Sequence, residues 1–190
     1  MGPHLRLFWG FDACQQGAAL QACQQQLAST ETGPPVPLDN LHLTLLFLGN
    51  APLGTLPALT HLTSTTLARL PLAPMTLTLD QLGLFPRAKA GWIGPSQIPE
   101  PLLLLEAGLR SAVSEAGWPL DPRPYRPHVT LFRKARALAN PRITPIPLSL
   151  QTLHLYASLS TPQGVRYQPR ASWSLGEHHG QPGAQSQPQR

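Results

Sequence analysis

The order of apolar and polar positions divides the chain into short alternating runs and a few longer ones with helical spacing. Arg6 to Phe11 is apolar and aromatic and predicts a strand, and Ala13 to Leu27, rich in Ala, Gln and Leu, predicts a helix. Thr32 to Pro37 breaks the helix, and Leu41 to Leu48 is a second strand, ended by Gly49-Asn50. Thr55 to Leu70 predicts a helix with Leu56, Leu59, Leu62, Thr66 and Leu70 near one face, closed by Pro71 and Pro74. Met75 to Leu82 alternates Thr and Asp with Met and Leu as a half-buried strand does, and Gly91 to Ile93 is a shorter one. Leu102 to Ala116 is the third predicted helix. The irregular stretch Pro119 to Pro127 then leads directly into a strand at His128 to Phe132. Leu148 to Leu159 and Arg166 to Leu175 predict a hairpin around Thr161-Pro162-Gln163-Gly164. The resulting order, β-α-β-α-β-β-α-β-β-β, points to an α+β fold dominated by antiparallel pairing. From Gly176 onward the composition is that of a disordered tail.

Composition narrows the class. A chain of 190 residues with 42% hydrophobic residues fits one compact domain or two small lobes with a real core. Asp12, Asp39, Asp80 and many of the 23 Pro and 15 Gly residues interrupt every apolar run, so no membrane helix is expected. The apolar run before Asp12 is too short for a secretory segment. Cys14 and Cys23 lie on different faces of a helical stretch and are expected as reduced thiols, in a cytoplasmic protein. Of 14 basic residues only Lys89 and Lys134 are lysine, so the formal charge of +5 rests on arginine. Arginine forks match phosphate, which makes a nucleic-acid or nucleotide partner the natural expectation.

The chemistry centres on a repeated pattern. His42-Leu43-Thr44-Leu45 and His128-Val129-Thr130-Leu131 both sit in predicted strands, where residues two apart share a face. With 7 His and 14 Thr in the chain, chance alone gives about 0.5 His-x-Thr occurrences, so the bare motif is weak. Three occur, but His61-Leu62-Thr63 lies in a predicted helix, where its two polar side chains diverge, and is set aside. The other two have matched strand settings and matched aliphatic neighbours, as an internally duplicated fold would produce. Two histidines facing one ligand suit a reaction that removes one proton and delivers another. Water attack on a phosphodiester is such a reaction, with the Thr hydroxyls donating to the non-bridging oxygens. The companions are Thr rather than carboxylate or Cys, so no metal is called for. His178-His179 is expected to be solvated rather than ligating.

These motifs, with Arg6-Leu7-Phe8, Asn40 to Gly49, Arg126 to Leu131 and the later Ser158-Leu159, Tyr167 and Trp173, resemble the 2H phosphoesterase superfamily. The resemblance spans about residues 5 to 175 and is nearest to the RNA 2′,3′-cyclic phosphodiesterase branch, also called 2′-5′ RNA ligase. It implies a bilobal fold with pseudo-twofold symmetry, antiparallel sheets lining a central cleft and helices outside. Residues 1 to 175 would form that catalytic unit, and 176 to 190 the tail. It also implies hydrolysis of a terminal 2′,3′-cyclic phosphate to a 2′-phosphomonoester without metal or other cofactor. His42 would be the proton donor, His128 the proton acceptor, and Thr44 and Thr130 would hold the phosphate. Phe47 would stack a base and Arg133 would contact phosphate, although strict alternation puts both on the face opposite their histidines unless a strand end, twist or bulge re-aims them. A core aromatic at Phe47 and a solvated charge at Arg133 remain open at this point. Trp92 and Tyr125 are further stacking candidates, with core packing as the alternative.

The expected partners are RNA ends or cyclic nucleotides, bound by a monomer. Neither Lys89-Ala90-Gly91 nor Lys134-Ala135-Arg136 offers the lysine setting of an ATP-dependent ligase, so any ligation would be the energy-free reversal of cyclic phosphodiester opening. The residues leave two other readings open. One is a phosphodiesterase for 2′-5′ oligonucleotides or another small cyclic phosphodiester, and the other is a non-catalytic RNA-end binding module.

Overall fold

A computed structural model describes residues 4 to 177. Among these, nine strands and three α-helices follow the predicted order: β1 (His4–Asp12), α1 (Gly17–Leu27), β2 (His42–Pro52), α2 (Leu56–Ala68), β3 (Met75–Leu79), β4 (Gln81–Phe85), β5 (Ala90–Gly94), α3 (Glu100–Glu115), β6 (Val129–Arg133), β7 (Ile146–Leu150), β8 (Thr152–Thr161) and β9 (Gly164–Ser174). Seven strands form one antiparallel sheet in the order β4-β5-β6-β2-β1-β8-β9, and β3 pairs with β7 in a separate ribbon. None of the described helices is long and apolar enough to cross a membrane. Residues 178 to 190, which hold most of the expected disordered tail and His178-His179, lie outside the described part of the chain.

Two predicted strands are each divided. Met75 to Leu82 breaks at Asp80, whose carboxylate accepts the backbone N–H and the hydroxyl of Ser96, so β3 joins the ribbon and β4 the large sheet. Leu148 to Leu159 breaks at Gln151, and β7 and β8 separate in the same way. A polar residue inside an alternating run is compatible with a continuous strand, and only pairing partners reveal the division. Cys14 precedes α1 in a 3₁₀ turn rather than lying in the helix, and both cysteines are free. In α2 the buried stripe is Leu59, Thr63 and Leu67, with Leu56, Leu62 and Leu70 packed beside it, which rotates the predicted face slightly.

The large sheet is two half-sheets joined by very little. β2 and β6 pair only at Leu43 and Val129, after which other segments fill the gap. Residues 34 to 36 run beside β6, with Val36 N–H donating to the Leu131 carbonyl. Helices reinforce the join by crossing it: α1 follows β1 but packs on β6, and α3 follows β5 but packs on β2 and α2. Gln24 of α1 is buried and donates to both Val36 and Leu131 carbonyls. After α3, Trp118 donates to the Leu48 carbonyl and Tyr125 to the Thr44 carbonyl. Each satisfies polar groups that burial would otherwise leave unpaired.

The turn that releases the chain from α3 is set by Gly117 at φ +82°. Gly117 N–H donates to the Ser114 carbonyl and Trp118 N–H to the Val113 carbonyl, the paired bonds of a Schellman stop. The apolar core between sheet and helices includes Trp9, Phe11, Leu43, Leu45, Leu105, Leu109, Val129 and Leu131. Leu43 and Val129, the intervening residues of the two motifs, are fully buried, which turns the polar member on either side of each toward the opposite face.

Candidate active site

The single pairing of Leu43 with Val129 fixes the register of the site. In an antiparallel pair it places His42 across from Thr130 and Thr44 across from His128. The two histidines are then diagonal neighbours on one face, roughly 7–8 Å apart by sheet geometry. Both motifs therefore meet at one place, as their matched patterns predict, and His61 does not join them. Thr63 is buried within α2, where its hydroxyl bonds the Leu59 carbonyl at 2.6 Å.

Phe47 and Arg133 reach the same face through a matched irregularity. Along β1 and β2, Gly10 pairs with Thr44 but Trp9 pairs with Leu46 and Phe8 with Phe47, so Leu45 is an extra residue. Along β5 and β6, Trp92 pairs with Thr130 but Gly91 pairs with Phe132 and Ala90 with Arg133, so Leu131 is the extra residue. A bulge of one residue inverts the alternation beyond it. Leu45 and Leu46 are consequently both buried, as are Leu131 and Phe132. Phe47 and Arg133 emerge on the side of the histidines. Phe47 is 46% exposed and carries the Arg6 guanidinium 4.9 Å above its ring. Gly10 makes the first bulge possible, because a Cβ there would lie 2.7 Å from the Leu43 carbonyl oxygen.

The histidines are held alike. His42 Nδ1 lies 2.7 Å from the Asn40 carbonyl, and His128 Nδ1 lies 2.8 Å from the Arg126 carbonyl. A carbonyl only accepts, so each Nδ1 bears a proton and Nε2 is the atom left for chemistry. His42 Nε2 lies 3.0 Å from the Thr44 hydroxyl. Each imidazole also has an aromatic wall. Tyr167 and Phe8 pack on His42 at 4.6 and 5.0 Å between centroids, and Phe85 and Trp92 flank His128 at 4.9 and 6.2 Å. Trp92 thus lines the site, whereas Tyr125 lies behind Thr44 and donates its hydroxyl to that residue's carbonyl.

Electrostatics separate the two halves. Burial is the main cause that lowers both imidazoles, taking His42 to about 4, while the carbonyl bond at each Nδ1 opposes it. Arg133 lowers both, which places its charge within reach of each ring. The half-sheets differ in what remains: Arg126 further lowers His128, whereas His42 is lowered by the His128 ring and raised by Asp12. Asp12, Phe8, Tyr156, Tyr167, Phe85 and Arg126 belong to this environment and were not assigned to it from sequence. A signal for three of them existed: Phe8 and Asp12 alternate with Gly10 along β1, and Arg126 precedes His128 by the same two residues as Asn40 precedes His42. Among the described residues no group of His, Cys, Asp and Glu is arranged to hold a metal.

Similarity to known proteins agrees with this geometry. The family model of the 2′-5′ RNA ligase superfamily matches residues 12–157. The RNA 2′,3′-cyclic phosphodiesterase of Escherichia coli (strain K12) is 36% identical over 150 residues, covering 76% of this chain and 81% of the relative. That of Thermus thermophilus is 34% identical over 200 residues, covering 95% and 96%. Among solved structures, E. coli LigT complexed with 3′-AMP superposes with a TM-score of 0.81 at 32% identity, covering 92% of this chain and all of that one. Two matched motif strands, a shared site face and these similarities lead to one assignment: the chain belongs to the 2′-5′ RNA ligase superfamily.

Proposed function

We propose that this chain is an RNA 2′,3′-cyclic phosphodiesterase that opens a terminal cyclic phosphate to a 2′-phosphomonoester, the two half-sheets acting as one catalytic unit. The observation that carries the reading is the diagonal array of His42, Thr130, Thr44 and His128 on one face, together with relatives named for that activity. His128 Nε2 takes a proton from water as its oxygen attacks phosphorus, and His42 Nε2 gives its proton to the departing 3′ oxygen. The P–O3′ bond breaks, the 2′ ester bond stays, and the two imidazoles end in exchanged protonation states. Thr44 and Thr130 donate to the non-bridging oxygens as charge builds there. Phe47 offers a stacking surface for the terminal base, and Arg133 meets the phosphate.

The two cations near His128 favour the neutral form a base requires, and Asp12 favours the protonated form of His42 against burial, Arg133 and His128, which together hold that ring at about 4 in the free protein. The bound phosphate adds a negative charge to the same end. An adenosine nucleotide is held by the related LigT, so a terminal nucleotide is the substrate unit expected here.

The test is incubation of chelator-treated protein with a short RNA ending in a 2′,3′-cyclic phosphate, with the 2′- and 3′-phosphate products resolved. Exclusive 2′-phosphate is expected, at an undiminished rate after chelation. Formation of 3′-phosphate would reverse the bond assignment, and no turnover would leave a binding module in its place.

A further inference from the structure

We propose that Asp12 is a positioning residue for the reacting proton of His42: its carboxylate, across the β1–β2 pair, is the anionic group that strengthens the hold of the first-motif imidazole on that proton. The proposal rests on the reading of His42 as the proton donor and adds a group that favours that role. A buried imidazole beside an arginine and a second imidazole is a poor reservoir for a proton, and a nearby anion changes its proton affinity in the direction an acid needs.

Asp12 is placed to do so. It is the last residue of β1 and the direct partner of His42 across the strand pair. Both residues line a cavity of about 190 Å³, walled by Tyr156 and Tyr167. The backbone N–H of Cys14 donates to Asp12 Oδ1 at 2.8 Å, which anchors the carboxylate where β1 gives way to the 3₁₀ turn. Among the described residues Asp12 forms no ion pair, so its charge is not neutralised by a neighbouring Arg or Lys.

The groups that face His42 from the surrounding elements set the sign. β6 and its end contribute His128 and Arg133, which both disfavour the proton. β8 and β9 contribute Tyr156 and Tyr167, β8 also carries His154, on which the Asp12 carboxylate acts as well, and the 3₁₀ segments at 14–16 and 38–40 contribute Cys14 and Asp39 along the same cavity. Burial and the negative charge of Asp12 push the Cys14 thiol up to about 12 and push Tyr156 up as well, so neither competes as an anion near neutral pH. Asp12 raises His42, and Asp39 is the one other carboxylate at the cavity among the described residues. In the pseudo-equivalent half no described carboxylate acts on His128 in this way.

The experiment is the pH dependence of kcat on a cyclic-phosphate RNA for the wild type and for Asp12→Asn, Asp12→Glu, Asp39→Asn and His42→Ala. Removing the Asp12 charge lowers the pKa of the acid. The alkaline limb of Asp12→Asn should therefore move to lower pH by about one unit, with turnover near neutrality falling about 10-fold and recovering as pH is lowered. Asp12→Glu should restore the limb, and Asp39→Asn should move it less. NMR titration of the His42 ring should show the same downward shift in Asp12→Asn. A kcat profile that superimposes on the wild type, or a uniform loss at all pH with an unmoved ring titration, would overturn the role of Asp12. Undiminished activity in His42→Ala would instead overturn the acid assignment on which the proposal rests, so the two failures are distinguishable.

Discussion

The half-sheet that carries His42 and the half-sheet that carries His128 are built alike and charged differently. Each presents His-x-Thr from a strand, binds the imidazole Nδ1 to the carbonyl two residues earlier, inserts a bulged leucine and then returns the fifth residue to the site. Backbone hydrogen bonding and packing can be duplicated because they concern shape. The surrounding charges are not duplicated: Asp12 acts on one ring and Arg126 on the other, while Arg133 acts on both. A repeated scaffold thus holds two imidazoles in matched settings with different charges around them, and the proposed mechanism gives them opposite proton-transfer roles.

The largest effect should come from removing either imidazole. His42→Ala and His128→Ala should each lower hydrolysis of cyclic-phosphate RNA by about 10²–10⁴-fold, with circular dichroism and thermal melting close to the parent. Next comes the phosphate grip: Thr44→Val and Thr130→Val should cost about 10–100-fold in kcat. Thr44 should show an additional pH effect, because its hydroxyl also contacts His42 Nε2. Unequal losses would sharpen the contrast between the halves, and an unaffected pair would break the proposed phosphate site.

A smaller effect concerns stability. His42 is held well below its ordinary pKa in the fold, at about 4, and burial lowers His128 as well, so the unfolded chain binds more protons between about pH 4 and 6.5. Stability must therefore fall as pH drops through that window. The His42 contribution lost by about pH 4 is on the order of 2–3 kcal/mol. Urea unfolding at about pH 7 and about pH 4.5 should show this, and His42→Gln should flatten the dependence. A curve of the variant as steep as that of the parent would assign the acid sensitivity to other groups.

Much of this arrangement is readable without any coordinates. The helices declare themselves through composition and spacing, and the hairpin through Thr161 to Gly164, where β8 and β9 pair. The His-x-Thr pairs are readable because a period of two is itself a statement about a shared face. The bulges at Leu45 and Leu131 are not. A leucine that breaks register looks in sequence like any leucine of a buried strand, and only the partner strand shows that it is extra. The same limit hides the divisions at Asp80 and Gln151, since a strand's membership in a sheet is decided by its neighbour. Asp12 reads in sequence as an interruption of an apolar run, and its closeness to His42 follows from a β1–β2 register that no local pattern specifies.

The most direct test of the unequal roles uses a nucleoside phosphodiester with a 4-nitrophenolate leaving group, which departs without needing a proton. Turnover of His42→Ala and His128→Ala should be compared on this ester and on the cyclic phosphate. The assignment of His42 as acid and His128 as base predicts that His42→Ala regains most of its lost activity on the activated ester while His128→Ala remains impaired. Recovery by His128→Ala alone, or equal recovery by both, would contradict it.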